Sequence, residues 1–248
     1  VSVDPWFAQD SYGVRFEWGP SGARALAARS ACLVVVDVLS FTTAVGVAVA
    51  KGTRVYPFPV RDNRAAGFAA DHDAVLAVRR RDITDDHPWS LSPAALRRAP
   101  AVPRLVLPSP NGSAIAAAVP GTPVLACSLR NATAVARWIR EQGWGTPDHP
   151  VTVIAAGERW PDDTLRPAIE DLLGAGALLA ALTDHLSPES TLAATTFTHT
   201  PDLTTTLTTC ASGRELIEGG FADDVAIAAE LDSSTAVPLL ADGAFTAV

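Results

Sequence analysis

Two groups of carboxylates stand where they could do chemistry. Asp37 ends the run Cys32-Leu-Val-Val-Val36, and Glu170-Asp171 opens Ile169-Glu-Asp-Leu-Leu-Gly-Ala-Gly176. Carboxylate oxygens are hard donors that suit Mg²⁺, and such an ion offsets charge on a phosphoryl group. Two turns rich in small hydroxyl and amide side chains accompany them, Pro108-Ser-Pro-Asn-Gly-Ser113 and Ser128-Leu-Arg-Asn131. A turn of this kind at a helix start offers free N–H groups and the positive end of the helix dipole, which favours an anion. Each feature also has a structural reading. Asp37 could cap a helix, Ser109, Asn111, Ser128 and Asn131 could do the same, and a Glu-Asp pair on a helix is usually solvated. Two such turns in series beside an Asp-terminated strand favour the anion.

Covalent routes to phosphoryl transfer are poorly served. A thiolate nucleophile wants an Arg six residues on, and Val38, Thr133 and Leu216 stand there after Cys32, Cys127 and Cys210. None of His72, His87, His149, His185 and His199 has the neighbouring Arg and Gly that a histidine nucleophile would want. An aspartyl nucleophile at position 37 lacks its second Asp, because Leu39 occupies that position. Metal-assisted chemistry remains, with Asp37 as a ligand.

The elements that must position these groups follow from pattern. The β-branched run before Asp37 reads as a strand buried on both faces of a parallel sheet, and Thr42-Thr43 leads into a small-residue helix, Ala44 to Ala50, closed by Gly52. A carboxylate at the carboxyl end of such a strand lies where open α/β sheets bind ligands. Strands are expected at 104–107, 123–127 and 151–155, with helices at 114–119 and 132–142 after the two turns. Residues 54–60 alternate like a strand that Pro57 and Pro59 confine to an edge or a strand end. The segment 165–186 reads as one long helix whose core face is Ile169, Leu172, Leu173 and Gly176, with Glu170 on a face of small residues, Gly174, Ala177 and Ala181. Residues 79–93 form a charged loop and a candidate lid. By propensity alone the threonine-rich 190–209 favours strand or loop.

At 248 residues, 48% hydrophobic and 19% charged, the chain can bury a substantial core. A formal charge of −8 and a pI near 5.0, with no basic run beyond Arg79-Arg80-Arg81, argue against a nucleic-acid surface and for a small-molecule ligand. The three cysteines sit beside apolar runs and fit buried thiols in a reducing compartment. No apolar run reaches the ~18 residues that span a bilayer, and the first residues do not resemble a signal peptide, so a cytoplasmic location is expected. The segment 143–150, Gly-Trp-Gly-Thr-Pro-Asp-His-Pro, is the linker expected between an N-terminal lobe, 1–142, with Asp37 and the two turns, and a C-terminal lobe, 150–248, with Glu170-Asp171. The fold expected is a three-layer α/β/α protein with a largely parallel or mixed sheet, one that could divide into two α/β lobes with the site between them.

In order along the chain, Val34-Val-Val-Asp-Val-Leu-Ser-Phe-Thr42, Ser90-Leu-Ser-Pro93, Ser109-Pro-Asn-Gly-Ser113, Cys127-Ser-Leu-Arg-Asn-Ala132, Ala155-Ala-Gly-Glu-Arg159, the Glu170-Asp171 helix, Ser212-Gly-Arg-Glu-Leu216 and Gly219-Gly-Phe-Ala-Asp-Asp-Val225 resemble the 2-phosphosulfolactate phosphatase family. That resemblance implies an Mg²⁺-dependent phosphatase of the kind found in coenzyme M biosynthesis, acting on a small phosphorylated hydroxy acid, and it implies helix over 190–209. By the same resemblance, Asp37, Glu170 and Asp171 would hold the metal or activate water, with Asp224 as a further ligand. Ser109, Asn111, Gly112, Ser113, Ser128, Asn131 and Gly157 would line the phosphate site, and Arg130 and Arg159 would neutralise the anion.

The chain departs from the family pattern at four places. Ser40 stands where members usually carry Arg, Val78-Arg79-Arg80 replaces a Gly-Glu-Arg run, and Ser90-Leu-Ser-Pro93 replaces Gly-Asn-Ser-Pro. The phosphate turn Thr-Asn-Gly-Thr has become Pro110-Asn-Gly-Ser113. The loss at Ser40 implies a weaker hold on a sulfonate unless Arg80, Arg81 or Arg130 replaces the charge. The changes at Ser40 and Arg79 together motivate a second hypothesis, a catalytically retired protein that still binds small anions. The expected partner is a small anionic phosphorylated substrate, with no nucleic acid and no membrane. The oligomeric state, a homodimer among the options, is not fixed by the sequence.

Overall fold

The computed structural model of the chain describes residues 4–59 and 62–248. The elements run β1 (Val14–Trp18), α1 (Gly19–Leu26), β2 (Cys32–Val36), α2 (Phe41–Ala50), β3 (Arg54–Phe58), α3 (Arg64–Asp71), β4 (Val75–Leu76), α4 (Pro93–Arg98), β5 (Arg104–Pro108), α5 (Gly112–Ala117), β6 (Val124–Cys127), α6 (Ala132–Glu141) and β7 (Val151–Ala155). They continue with β8 (Glu158–Arg159), β9 (Leu165–Arg166), α7 (Ile169–Leu182), α8 (Pro188–Thr198), α9 (Leu203–Thr209), α10 (Ala211–Glu218), α11 (Ala222–Ala228), β10 (Pro238–Ala241) and β11 (Ala244–Ala247). Among the described residues nine strands form one sheet in the order β1-β7-β2-β6-β10-β11-β3-β5-β4, and β8 and β9 pair as a separate ribbon. The β1-β7-β2-β6 and β3-β5-β4 blocks are parallel, while the β10-β11 hairpin joins them by antiparallel ladders. The expected segments 1–142 and 150–248 both feed this sheet, with β7 lying between β1 and β2.

Because side chains alternate along a strand, β2 serves two cores. Val34 and Val36 pack with Val135 and Ile139 of α6 and Leu173 and Leu178 of α7, whereas Leu33 and Val35 pack on the opposite face with Phe41, Val45 and Val49 of α2 and Ile115 of α5. The result is the expected three-layer α/β arrangement with a mixed sheet.

Five ladder steps separate β2 from β5, which in a flat sheet would be roughly 24 Å. Yet the N–H of Gly112, just past β5, donates to Asp37 Oδ2, just past β2, at 2.8 Å. The sheet therefore coils, and α2 fills its concave side. This helix is buried from Phe41 to Val49 and shares one core with Leu33 of β2, Val55 of β3, Leu105 of β5 and Phe245 of β11. Phe41 packs edge-on against Phe245, with ring centroids 6.1 Å apart. A continuously apolar helix of small and β-branched residues is the sequence such a position requires.

Several elements differ from expectation. β3 is an interior strand: it pairs with β5 along its length and with β11 only at Val55, so Pro57 lies past the end of the second ladder, where its missing N–H costs nothing. Val60, the expected end of that strand, lies outside the described residues. The helix expected over 165–186 starts at Ile169, because Leu165-Arg166 pairs with Glu158-Arg159 and Pro167 follows. Its faces are also reversed: Glu170 and Asp171 are buried, Leu172 is half-buried and Ile169 is exposed, although Leu173 and Gly176 do face the core. Residues 190–209 are largely helical, in α8 and α9, and the hydroxyls of Thr191, Thr196, Thr206 and Thr209 donate to carbonyls four residues back.

Candidate active site

Asp37 follows β2 and is 5% exposed. Its Oδ1 accepts from the N–H of Phe41 at 3.1 Å and its Oδ2 from that of Gly112 at 2.8 Å. The carboxylate thus ties the start of α2 to the start of α5 and does more than cap a helix. Gly112 is required by close packing, since a Cβ there would lie 2.3 Å from Phe41 Cδ1 and 2.8 Å from Asp37 Oδ2. The small-residue face of α7 has the same logic: a Cβ on Gly174 would sit 2.5 Å from Val38 Cγ2. This closeness brings Asp171 to the end of β2, where its Oδ1 accepts from the N–H of Val38 at 2.7 Å and its Oδ2 from that of Gly157 at 2.8 Å. Glu170, also buried, accepts a bond from the Cys210 thiol at 3.5 Å.

A fourth acid, Glu158, completes the group, and sequence reasoning passed over it although both its neighbours were singled out. Its Oε2 accepts from Asn111 Nδ2 at 2.9 Å. Asn111 precedes α5 but its side chain caps nothing, so the amide is free to reach across the cleft. Three of these acids are shifted by burial and by neighbouring charge. Burial, and secondarily the charge of Glu170, pushes Asp37 up to about 6 against the N–H bonds that favour its ionised form. Burial and the charge of Asp37 push Glu158 up to about 7. Burial, then Asp37 and Glu170, holds Asp171 well above the usual carboxylate range.

Asp37, Asn111 and Glu158 line a cleft of ≈ 370 Å³ together with Leu39, Ser40, Arg80, Leu91, Ser109 and Pro110. A roomier cleft, ≈ 740 Å³, lies by the β4 edge against Val75, Leu76, His87 and Trp89, and contains none of these four acids. The smaller cleft is the candidate because titratable and amide groups converge there.

The other expected site residues are dispersed. Ser113 donates its hydroxyl to the carbonyl of Leu107. Ser128 accepts from the N–H of Arg130, while Asn131 accepts from the N–H of Ser128 at 2.9 Å and donates to the carbonyls of Ala126 and Ala236, so this turn closes on itself. Arg130 is engaged by Glu230 and by the carbonyl of Ile227. Arg159 is exposed on the β8-β9 ribbon, beside Asp163. Gly157, at φ +66°, holds Asp171 through its N–H. Asp224 stands apart from the four acids: it accepts from Ser92 Oγ, from the N–H of Ala94 at 3.0 Å and from Arg80 Nε at 2.9 Å.

Arg80 also answers the departure at position 40. Its Nη2 donates to Ser40 Oγ at 2.6 Å, so a guanidinium from the 79–93 loop stands beside the position where the family usually carries its own Arg. That contact answers the departure at position 40, while Arg79 pairs with Asp82 of its own loop. Arg81 is exposed.

Among the described residues no group of three carboxylates, imidazoles or thiols converges as a ready metal cage. Mg²⁺ asks for less, often one or two carboxylates completed by water and substrate phosphate, and a buried group of mutually repelling hard oxygens fits that demand. Among the described residues no helix is long and apolar enough to cross a membrane.

Comparison with known proteins places the chain in a family. The family model described as 2-phosphosulpholactate phosphatase matches residues 21–243, a span that takes in Asp37, Asn111, Glu158, Glu170 and Asp171. A probable 2-phosphosulfolactate phosphatase from Gloeobacter violaceus is 29% identical over 214 residues, covering 84% of this chain and 87% of that protein. The chain therefore belongs to the 2-phosphosulfolactate phosphatase family and is a phosphoric monoester hydrolase.

Proposed function

We propose that the chain hydrolyses the phosphate monoester of a small hydroxy acid, 2-phosphosulfolactate or a close relative, with Mg²⁺ at the Asp37 cleft. The observation that carries this reading is the cleft that holds two acids, Asp37 and Glu158, with the N–H of Gly112 on Asp37 at 2.8 Å and the Asn111 amide on Glu158 at 2.9 Å. A pair of that kind is unfavourable by itself and is relieved by a cation. Asp37, with Glu158 or Glu170, would hold the ion. When bound, Mg²⁺ supplies charge neutralisation at the phosphoryl oxygens and a more acidic water.

The chain's own groups divide the remaining work. Asp171, with each oxygen on a backbone N–H, fixes Val38 and Gly157 and so sets the positions of Asp37 and Glu158. Asn111 orients Glu158, which lies near neutral in proton affinity and can hold or release a proton at Oε1 or Oε2 beside the ester oxygen. Two of the three thiols are buried and all three are free, which supports a reducing, cytoplasmic setting as part of the same proposal.

The test is phosphate release by purified protein from 2-phosphosulfolactate, 2-phospholactate and phenyl phosphate with and without Mg²⁺, alongside melting curves. Mg²⁺ should raise both turnover and Tm in the parent and neither in Asp37→Asn. Parental turnover in Asp37→Asn would move the reaction elsewhere.

A further inference from the structure

The candidate cleft is lined by two acids, Asp37 and Glu158, and by one cation, Arg80, among its described lining residues. An anionic substrate entering it needs that cation. Arg80 is unusually well held for a loop residue. Its Nε donates to Asp224, whose side chain is 1% exposed, its Nη2 donates to Ser40 and, at 3.4 Å, to the carbonyl of Leu91, and its guanidinium carbon lies 5.7 Å from the centroid of the Phe221 ring. Among the described residues Nη1 has no hydrogen-bond partner, while Nε and Nη2 are fixed by the protein. A guanidinium anchored on two nitrogens leaves the third available with little further loss of side-chain freedom, and Arg80 borders this cleft as well as two neighbouring ones. It stands by Ser40 and Leu91, while Asn111 is engaged with Glu158.

We propose that Arg80 determines substrate class: its Nη1 binds the acidic group, carboxylate or sulfonate, that the substrate carries beside its phosphate. The phosphate would have the carboxylate-bound ion to neutralise it, and a second anion beside Asp37 and Glu158 would gain from a cation of its own. Arg80 is therefore a binding and selectivity residue. This inference rests on the phosphatase reading above and has an arm independent of turnover.

The kinetic arm compares kcat/KM for 2-phosphosulfolactate and for phenyl phosphate, which lacks the second acid, in the parent and in Arg80→Gln/Asp224→Asn. The double variant leaves neither member of the buried pair charged and alone. The selectivity ratio should fall by about 10- to 100-fold, the loss expected for a hydrogen bond to a charged group, and chiefly through KM. Arg80→Lys, which keeps a cation beside Asp224, should recover part of it. The binding arm is calorimetric titration with sulfolactate, which carries the acid but no phosphate: the parent should bind it at least tenfold more tightly than the double variant. An unchanged ratio, a parallel fall on both esters, or equal affinity for sulfolactate would each overturn the inference. A parent inactive on every ester would defeat the phosphatase reading, and the sulfolactate titration would still decide the role of Arg80.

Discussion

Two strand-turn-helix units that look alike in sequence have different fates in the fold. In both, a turn before a helix offers free N–H groups, and in both an anion has taken one, but it is a carboxylate of the chain itself. At the β5-α5 turn the acceptor is Asp37, buried in the cleft, whose Oδ2 receives the N–H of Gly112. At the β6-α6 turn the acceptor is Asp232, exposed in a loop, which receives the N–H and hydroxyl of Thr133 at 2.8 and 2.7 Å. The N–H groups of Asp232 and Ser234 in turn donate to the carbonyls of Leu129 and Arg130, so the loop is laced over the turn. The first turn uses its N–H to orient an acid toward a ligand, and the second uses its own to fasten a loop. Anion preference at a helix start is a local property, whereas which anion arrives is decided by the sheet, whose coiling brings β5 to the end of β2.

The comparison can be broken one residue at a time, beginning with the largest effect. Gly112→Val should abolish turnover, by at least about 100-fold, because the new side chain must displace both Phe41 and Asp37, and overpacking at a buried site should cost about 1–3 kcal/mol in addition. Steady-state kinetics with a denaturant melt would show it, and a well-folded variant with parental kcat would deny the close approach. Gly112 is not among the positive-φ positions, so the strain is steric and not conformational.

Asn111→Ala comes next, with an expected fall in kcat/KM of about 10- to 100-fold. It should also shift a titration. The Asn111 bond favours ionised Glu158, so its removal should raise the midpoint above the parent's value of about 7. A carboxyl whose proton affinity is higher folded than unfolded makes the native state bind more protons, so stability falls as pH rises from the unfolded range near 4 to the folded midpoint. In the variant, without divalent ions, that decline in Tm should extend to higher pH than in the parent. An unmoved profile would mean that Asn111 does not govern Glu158.

At the second turn, Asn131→Ala should cost about 1–3 kcal/mol of stability, since it strips a donor-acceptor set from the N–H of Ser128 and the carbonyls of Ala126 and Ala236, yet change kcat/KM by less than about threefold. Loss of turnover without loss of stability would place this turn in the site after all.

Much of this plan was legible in the chain because local pattern and tertiary position agree at β2, α2 and the two turns. A strand apolar on both faces must lie inside a sheet, whereas Asp37 at its end read equally as a helix cap, and its bonds to the N–H groups of both Phe41 and Gly112 decide between the two. The reading failed where burial was set by hydrogen bonding. Helical periodicity marks Ile169 as core and Glu170 as part of a small-residue face, and a Glu-Asp pair is usually solvated, but α7 is turned so that Asp171 takes the N–H groups of Val38 and Gly157. Glu158 was hidden by its short ribbon, although its position between Gly157 and Arg159 was a signal. The β10-β11 hairpin in the middle of the sheet had one too: Asp242-Gly243, both at positive φ, is a favoured two-residue hairpin turn. Arg80 was one of three arginines that the sequence offered to replace the charge missing at Ser40, and only the folded loop, which sets it beside that residue forty positions away, singles it out.

The most direct test of the account is a crystal of the protein soaked with Mg²⁺ and inorganic phosphate. The anion should lie in the cleft between Asp37, Asn111 and Arg80, with the ion on Asp37 and an oxygen of Glu158 or Glu170. Phosphate at the Ser128-Asn131 turn, or in the cleft by Trp89, with the Asp37 cleft holding neither anion nor ion, would contradict it.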